Sequence, residues 1–260
     1  MNARKIAAVR DVQPYGADEQ TDAKNIVLDP SHMGESDPFL LLSEDWIPPG
    51  KGFESHPHRG FETVTLVLEG ELEHRDSRGN RGVLRAGDVQ WMTAGRGIVH
   101  SEMPHGDGVA HTLQLWLNLA AKDKDAEPGY QDLRLPMQGG VRVISGEYAG
   151  QRSPARNHVP VLLLEARAPV APVVPAAWSG FVYVIEGGAE IASARVRAGQ
   201  VVTFGPAPED GELRVSGEGL HALIAAGPPL REPIFSYGPF VMDSRARIMR
   251  AIEDYRAGRY

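Results

Sequence analysis

Two short segments about forty residues apart place metal-binding side chains at strand spacing: Gly50-Lys51-Gly52-Phe53-Glu54-Ser55-His56-Pro57-His58-Arg59-Gly60-Phe61-Glu62 and Gly95-Arg96-Gly97-Ile98-Val99-His100-Ser101-Glu102. Along a β-strand successive side chains alternate between faces, so His56 and His58 share a direction, as do His100 and Glu102. If the two strands face each other, three imidazoles and one carboxylate converge on one point. Either pair alone could be a surface feature, and Pro57 suits a strand edge. Together, imidazole and carboxylate donors suit a divalent transition metal, and the glycines before each pair permit tight turns. This is a metal site, and the place to expect an active site.

The remaining histidines weigh less. His74, His105 and His111 have no partner at ligand spacing and read as surface or satisfied buried groups. Glu62 shares parity with His56 and His58 on an unbroken strand. It is read either as a rival to Glu102 or as a hydrogen-bond partner of a ligand histidine.

The elements that must position these residues are short apolar runs, such as Phe39 to Leu42, Thr63 to Leu68, Val161 to Leu164 and Phe181 to Ile185, cut by 29 glycines and 20 prolines. Closely spaced turn signals between short β-rich runs predict an all-β chain of barrels or sandwiches. Leu66-Val67-Leu68-Glu69-Gly70 with Leu84-Arg85-Ala86-Gly87-Asp88-Val89 recurs as Tyr183-Val184-Ile185-Glu186-Gly187 with Val196-Arg197-Ala198-Gly199-Gln200-Val201, at offsets of 117 and 112 residues. The repeat predicts two tandem barrels of similar build, residues 1–125 and 126–260, with a soft boundary and a polar linker around Ala120 to Met137. One helix is expected near the C-terminus, with Ile248, Ile252 and Tyr255 on one face, N-cap candidates in Met242-Asp243-Ser244 and a stop at Gly258. Seven of the nine histidines precede residue 112. At an offset of 117, Val173, Pro175 and Ser179 stand where His56, His58 and Glu62 do, so the first barrel is expected to hold the metal and the second to serve as scaffold.

Bulk composition narrows the function classes. With 27 Lys plus Arg against 34 Asp plus Glu, the formal charge is -7, and the chain as a whole lacks the positive footprint of a nucleic-acid binder. The absence of cysteine removes disulfides, thiolate zinc sites and cysteine nucleophiles. No signal peptide is expected at the N-terminus, and no run approaches the ~18 apolar residues of a membrane span, so a cytoplasmic location and no membrane partner are expected. No nucleotide loop or Gly-x-Ser-x-Gly elbow is present.

Several stretches resemble the pirin family within the cupin superfamily: His56-Pro57-His58-Arg59-Gly60-Phe61-Glu62-Thr63, Gln90-Trp91-Met92-Thr93-Ala94-Gly95-Arg96-Gly97 and Leu113-Gln114-Leu115-Trp116. The first cupin motif is present with its final glycine one residue late, at Gly70, and the second departs from the general pattern, lacking its proline and placing its histidine later. The resemblance spans essentially the whole chain. It implies two jelly-roll barrels with a C-terminal helix. It also implies that His56, His58, His100 and Glu102 hold one divalent metal, commonly Fe(II). The donors alone accept Mn, Co, Ni, Cu or Zn as well.

The resemblance further implies quercetin 2,3-dioxygenase chemistry: a flavonol-like aromatic substrate binds the metal, Glu102 or Glu62 accepts its hydroxyl proton, and dioxygen opens the ring with release of carbon monoxide. Phe53, Trp91, Met92 and Gln114 are the pocket candidates, with Trp116 beside them and Phe61, of opposite parity, the poorest. Arg59 and Arg96 read as exposed turn residues, with the binding of an acidic substrate as the alternative. The competing expectation is a non-catalytic, redox-sensitive iron protein that binds a protein partner. Metal-assisted isomerisation on the same scaffold is a third.

Overall fold

In the computed structural model, which describes residues 2–260, strands dominate, as the closely spaced turn signals predict. A seven-stranded sheet runs in the order Gly129–Arg134, Asp88–Thr93, Phe61–Glu69, Ala110–Asn118, Phe39–Ile47, Ala23–Leu28 and Gln13–Tyr15. A four-stranded sheet, Phe53–His58, Ile98–Pro104, Glu71–Asp76 and Arg81–Arg85, completes the first barrel. The second barrel rests on a six-stranded sheet ordered Val141–Ser145, Leu162–Ala166, His221–Gly227, Ser179–Glu186, Gln200–Phe204 and Ala8–Asp11. Its interior is a continuous apolar cluster that includes Leu164, Val182, Ile224 and Ala226.

The helix forms at Arg245–Arg256. The Ser244 hydroxyl caps it by accepting from Arg247 N, and Gly258, in the left-handed region, closes it with a bond from its N–H to Tyr255 O. Ile248 and Ala251 are buried and Ile252 packs against them, so the expected apolar face is real. Among the described residues no helix is long and apolar enough to cross a membrane.

The division of the chain differs from a contiguous split after residue 125. One compact unit joins the segment ending at Gln13, Glu35–Pro38 and Leu135–Leu230, while the other joins Pro14–Gly34, Phe39–Arg134 and Arg231–Tyr260. The physical reason is edge pairing. Ala8–Asp11 adds an antiparallel strand to Gln200–Phe204, with Val9 opposite Val202. The hairpin of Phe235–Tyr237 and Phe240–Met242 instead buttresses the first barrel: Val241 N donates to Arg59 O at 3.0 Å and Arg59 N to Pro239 O at 3.3 Å. Pairings between segments this remote leave no local pattern to read.

The expected linker is likewise part of the first barrel. Gly129–Arg134 pairs with Asp88–Thr93. Lys124, only 1% exposed, donates to Gly60 O, Asn118 Oδ1 and Val241 O. A buried ammonium with three oxygen acceptors ties the turn after His58 to the C-terminal hairpin.

Candidate metal centre

The Phe53–His58 and Ile98–Pro104 strands pair antiparallel, with His100 opposite His56 and Ile98 opposite His58. Partners directly opposite share a face, so all three imidazoles meet. His56 Nε2 lies 3.0 Å from His58 Nε2 and 3.0 Å from His100 Nε2. His58 and His100 are buried and His56 is half-buried, so the cluster opens on the His56 side.

Burial, reinforced by neighbouring imidazoles, holds the pKa values of His58 and His100 well below the ordinary 6.5, and burial also lowers that of His56. The rings are therefore neutral. His56 Nδ1 lies 2.7 Å from Glu54 O, a geometry that places the proton on Nδ1 and leaves the Nε2 lone pair facing the cluster. Neutral imidazole nitrogens do not settle lone pair to lone pair at this range without a cation or proton among them. Two nitrogens each about 2.1 Å from one cation, at a right angle, lie about 3.0 Å apart. The donors thus fit a divalent metal.

Glu102 is buried close by but is not one of the mutually close donors. Gln114 Nε2 donates to its Oε2 at 2.8 Å, and Thr65 Oγ1 lies 3.2 Å from its Oε1 and 2.7 Å from Gln114 Oε1. Burial raises the Glu102 pKa against the opposing influence of His74, Thr65 and Gln114. With the carboxyl neutral, the three side chains close a ring in which Glu102 O–H, Thr65 O–H and a Gln114 N–H each find an acceptor. The structure therefore shows a histidine triad with a carboxyl held beside it, where the sequence suggested four converging donors.

His74, read from spacing as a surface or satisfied buried group rather than a part of the site, is fully buried and its Nε2 is 2.9 Å from His100 Nδ1. It can fix the His100 ring with Nε2 turned to the cluster, as the outer partners of metal-bound histidines do. The register explains the omission: His74 lies opposite Glu102 on the Glu71–Asp76 strand, a pairing that no local spacing reveals.

Glu62 lies elsewhere than the parity argument suggested. The strand breaks at Arg59-Gly60, where Gly60 has φ +88° and a Cβ would meet Val241 O at 2.0 Å. Glu62 then pairs into the larger sheet, accepts from Thr93 Oγ1 at 2.7 Å, and is absent from the cluster. The same break brings Phe61 edge-on to His58 at 5.1 Å between centroids, with Trp116 5.2 Å from His58. Phe61, set aside on parity, is a neighbour of the triad.

Of the pocket candidates, Phe53 stands 6.3 Å from the His56 ring, and Gln114 reaches Glu102. Met92, opposite Thr63, packs with Ala94, Ile98 and Tyr130; Tyr130 in turn lies 5.2 Å from His74. Trp91 is corrected: opposite Val64, it occupies the sheet face away from Thr65 and Gln114, and is fully buried there. His111, read as a surface or satisfied buried group, is the latter, 2.9 Å from Glu44 and stacked on Trp46. Arg59, read as an exposed turn residue, is 7% exposed and paired with Asp254.

Comparison with known proteins agrees along the chain. The family model described as Pirin matches residues 12–117, and that described as Pirin C-terminal cupin domain matches residues 160–260. The chain is 44% identical over 242 residues to Pirin-like protein 2 of Arabidopsis thaliana, covering 86% of this chain and 75% of that protein. It is 40% identical over 236 residues to Pirin of Homo sapiens, covering 85% of this chain and 81% of that protein. A crystal structure of quercetin 2,3-dioxygenase from Acinetobacter baumannii superposes with a TM-score of 0.88 at 31% identity, covering 99% of this chain and 98% of that one.

Proposed function

Since the chain belongs to the pirin family of two-barrel cupins, we propose that it is a metal-dependent dioxygenase acting on a flavonol such as quercetin, with the first barrel as its active site. The observation that carries this reading is the largely buried histidine triad, with His56 Nε2 3.0 Å from the Nε2 atoms of both His58 and His100 and a hydrogen-bonded carboxyl beside it. His56, His58 and His100 would hold the metal, with Glu102 as a fourth donor or as the base; Fe(II) is the ion that the family resemblance favours. When bound, the metal supplies Lewis-acid and one-electron chemistry toward a phenolic oxygen and dioxygen.

The chain's own residues do the rest. A carboxyl whose pKa burial raises is a stronger base once ionised, so Glu102 accepts the flavonol hydroxyl proton on Oε1 or Oε2. Gln114 and Thr65 orient that carboxylate, and His74 orients His100. Phe53 forms an apolar wall beside the half-buried His56, the open side of the cluster, where a flat aromatic substrate enters and water is displaced. Ring opening consumes one dioxygen and releases carbon monoxide.

Oxygen uptake with quercetin tests the reading. Metal-dependent consumption by the wild type that is lost in His56→Ala and strongly reduced in Glu102→Gln is expected. A metal-loaded wild type that consumes no oxygen with any flavonol would overturn the enzyme reading in favour of a non-catalytic metal protein.

A further inference from the structure

Arg59 immediately follows His58, and Gly97 immediately precedes Ile98, its pairing partner across the strands. Beside these strand ends lies a cleft of about 360 Å³ lined by five guanidinium groups, those of Arg59, Arg78, Arg96, Arg250 and Arg259. Its one acidic lining residue is Asp254. For a chain of net charge -7 this is a pronounced local reversal.

The carboxylates that touch these arginines are shared and too few. Asp254 serves Arg59 at 2.6 Å and Arg259 at 2.5 Å. Glu127 bridges Arg78 and Arg96, the latter at 2.9 Å. Asp125 lies 3.4 Å from Arg59 and is also engaged by Arg247 at 2.7 Å. Five arginines against three acids leave a formal surplus of two. Arg250 has no ion pair among the described residues. Arg59, 7% exposed, is built in: its guanidinium lies 5.6 Å from the centre of the Tyr260 ring, and its buried Nε has no hydrogen-bond partner.

Guanidinium forks match the oxygen pairs of carboxylates and phosphates, and the exposed Glu127 already occupies two of them as an internal anion. We propose that this cleft binds the phosphate of a small phosphomonoester, the dianion displacing Glu127 from Arg78 and Arg96. With Glu127 displaced, five guanidinium groups face only Asp125 and Asp254, a surplus of three that suits a phosphate dianion better than a single carboxylate. The volume is that of a small-ligand site, and the Tyr260 ring offers a wall for an attached organic group. The site uses none of the histidines and does not depend on the proposed reaction.

Isothermal titration of the metal-loaded protein at low ionic strength tests this, with phenyl phosphate, inorganic phosphate and uncharged phenol as probes. One phenyl phosphate per chain is expected, with weaker inorganic phosphate and no phenol binding. Arg96→Gln and Arg250→Gln, both at exposed positions, each weaken binding about tenfold or more. Glu127→Gln tightens it by a similar factor, because the internal competitor is gone. His56→Ala, with its fold checked by circular dichroism, leaves it unchanged. Absence of saturable binding, insensitivity to both arginine substitutions, or weakening by Glu127→Gln would overturn the proposal. So would loss of binding in folded His56→Ala, which would put the anion at the histidine cluster.

Discussion

Across three neighbouring strands the first barrel sets Thr65, Gln114 and Ser43 side by side, and at the corresponding register the second barrel sets Val182, Ile224 and Leu164. The correspondence is secured one layer away, where the two barrels agree. His111 lies opposite Glu69 and bonds Glu44 at 2.9 Å; His221 lies opposite Glu186 and bonds Glu165 at 2.9 Å. Each barrel even shifts register at the same point after its histidine. A buried histidine–glutamate pair is therefore part of the shared architecture, while the hydrogen-bonded layer that holds Glu102 belongs to the first barrel alone. Burial of a histidine does not mark a metal ligand. What separates His100 from His221 is the company of other imidazoles: a carboxylate faces His221 at 2.9 Å, and three rings, those of His56, His58 and His74, face His100.

The contrast is sharpest when one histidine is removed from each barrel. His58→Ala should weaken metal binding by more than about 100-fold, beyond the 10–100-fold typical of an outer partner, and leave the fold intact. His221→Ala should leave metal binding alone but cost about 1–3 kcal/mol of stability, because buried Glu165 loses its bond to His221 and keeps only its pairs with Arg142 and Arg167. Metal titration and urea unfolding of both variants distinguish the roles; equal effects on metal binding would erase the comparison.

The next largest effect comes from exchanging the differing layer. Gln114→Ile, the residue of the second barrel, removes the donor to Glu102 Oε2 and should lower metal affinity about 10-fold, as should His74→Ala by freeing His100. The reverse exchange, Ile224→Gln, buries an amide among Leu164, Val182 and Ala226 and should cost about 1–3 kcal/mol with no gain of metal. A second metal per chain in Ile224→Gln would contradict this account.

A smaller effect separates the barrels by pH. The unfolded chain protonates His58 and His100 before the folded one does, so stability of the metal-free protein falls as pH drops below 6.5 toward their lowered values. Glu102, held above 4.5, opposes this as one group against four, since burial lowers His56 and His74 as well. Burial pushes Glu165 up, but its bond to His221 and the charges of Arg142 and Arg167 outweigh that and hold it below 4.5, so its contribution is intact above pH 4.5 and is lost as pH falls through its folded value. Hydrogen exchange between pH 6.5 and 5 should loosen the histidine strands first and leave the Leu162–Ala166 and His221–Gly227 strands protected.

How far the sequence carried these distinctions follows from what is local in them. The alternation of His56 with His58, the repeat of Leu66-Val67-Leu68-Glu69-Gly70, and the Ile248 and Ile252 face are local patterns, and each is found as read, although Tyr255 on that face is 40% exposed. His74, Thr65 and the Phe61–Trp116 pair act on the site through strand register, which depends on partners dozens of residues away. Parity arguments fail for Glu62 and Phe61 at one point, the left-handed Gly60 that ends the histidine strand. Trp91 is misplaced for a related reason: a tryptophan near a motif gives no sign of which sheet face it occupies until its partner, Val64, is known.

The central claim is that one barrel holds a metal and the other does not. Metal analysis of protein purified without added metal, for wild type, His58→Ala and His221→Ala side by side, tests it most directly. One metal per chain in the wild type and in folded His221→Ala, with none in His58→Ala, is the predicted result. Metal retained by His58→Ala, or lost from folded His221→Ala, would contradict it.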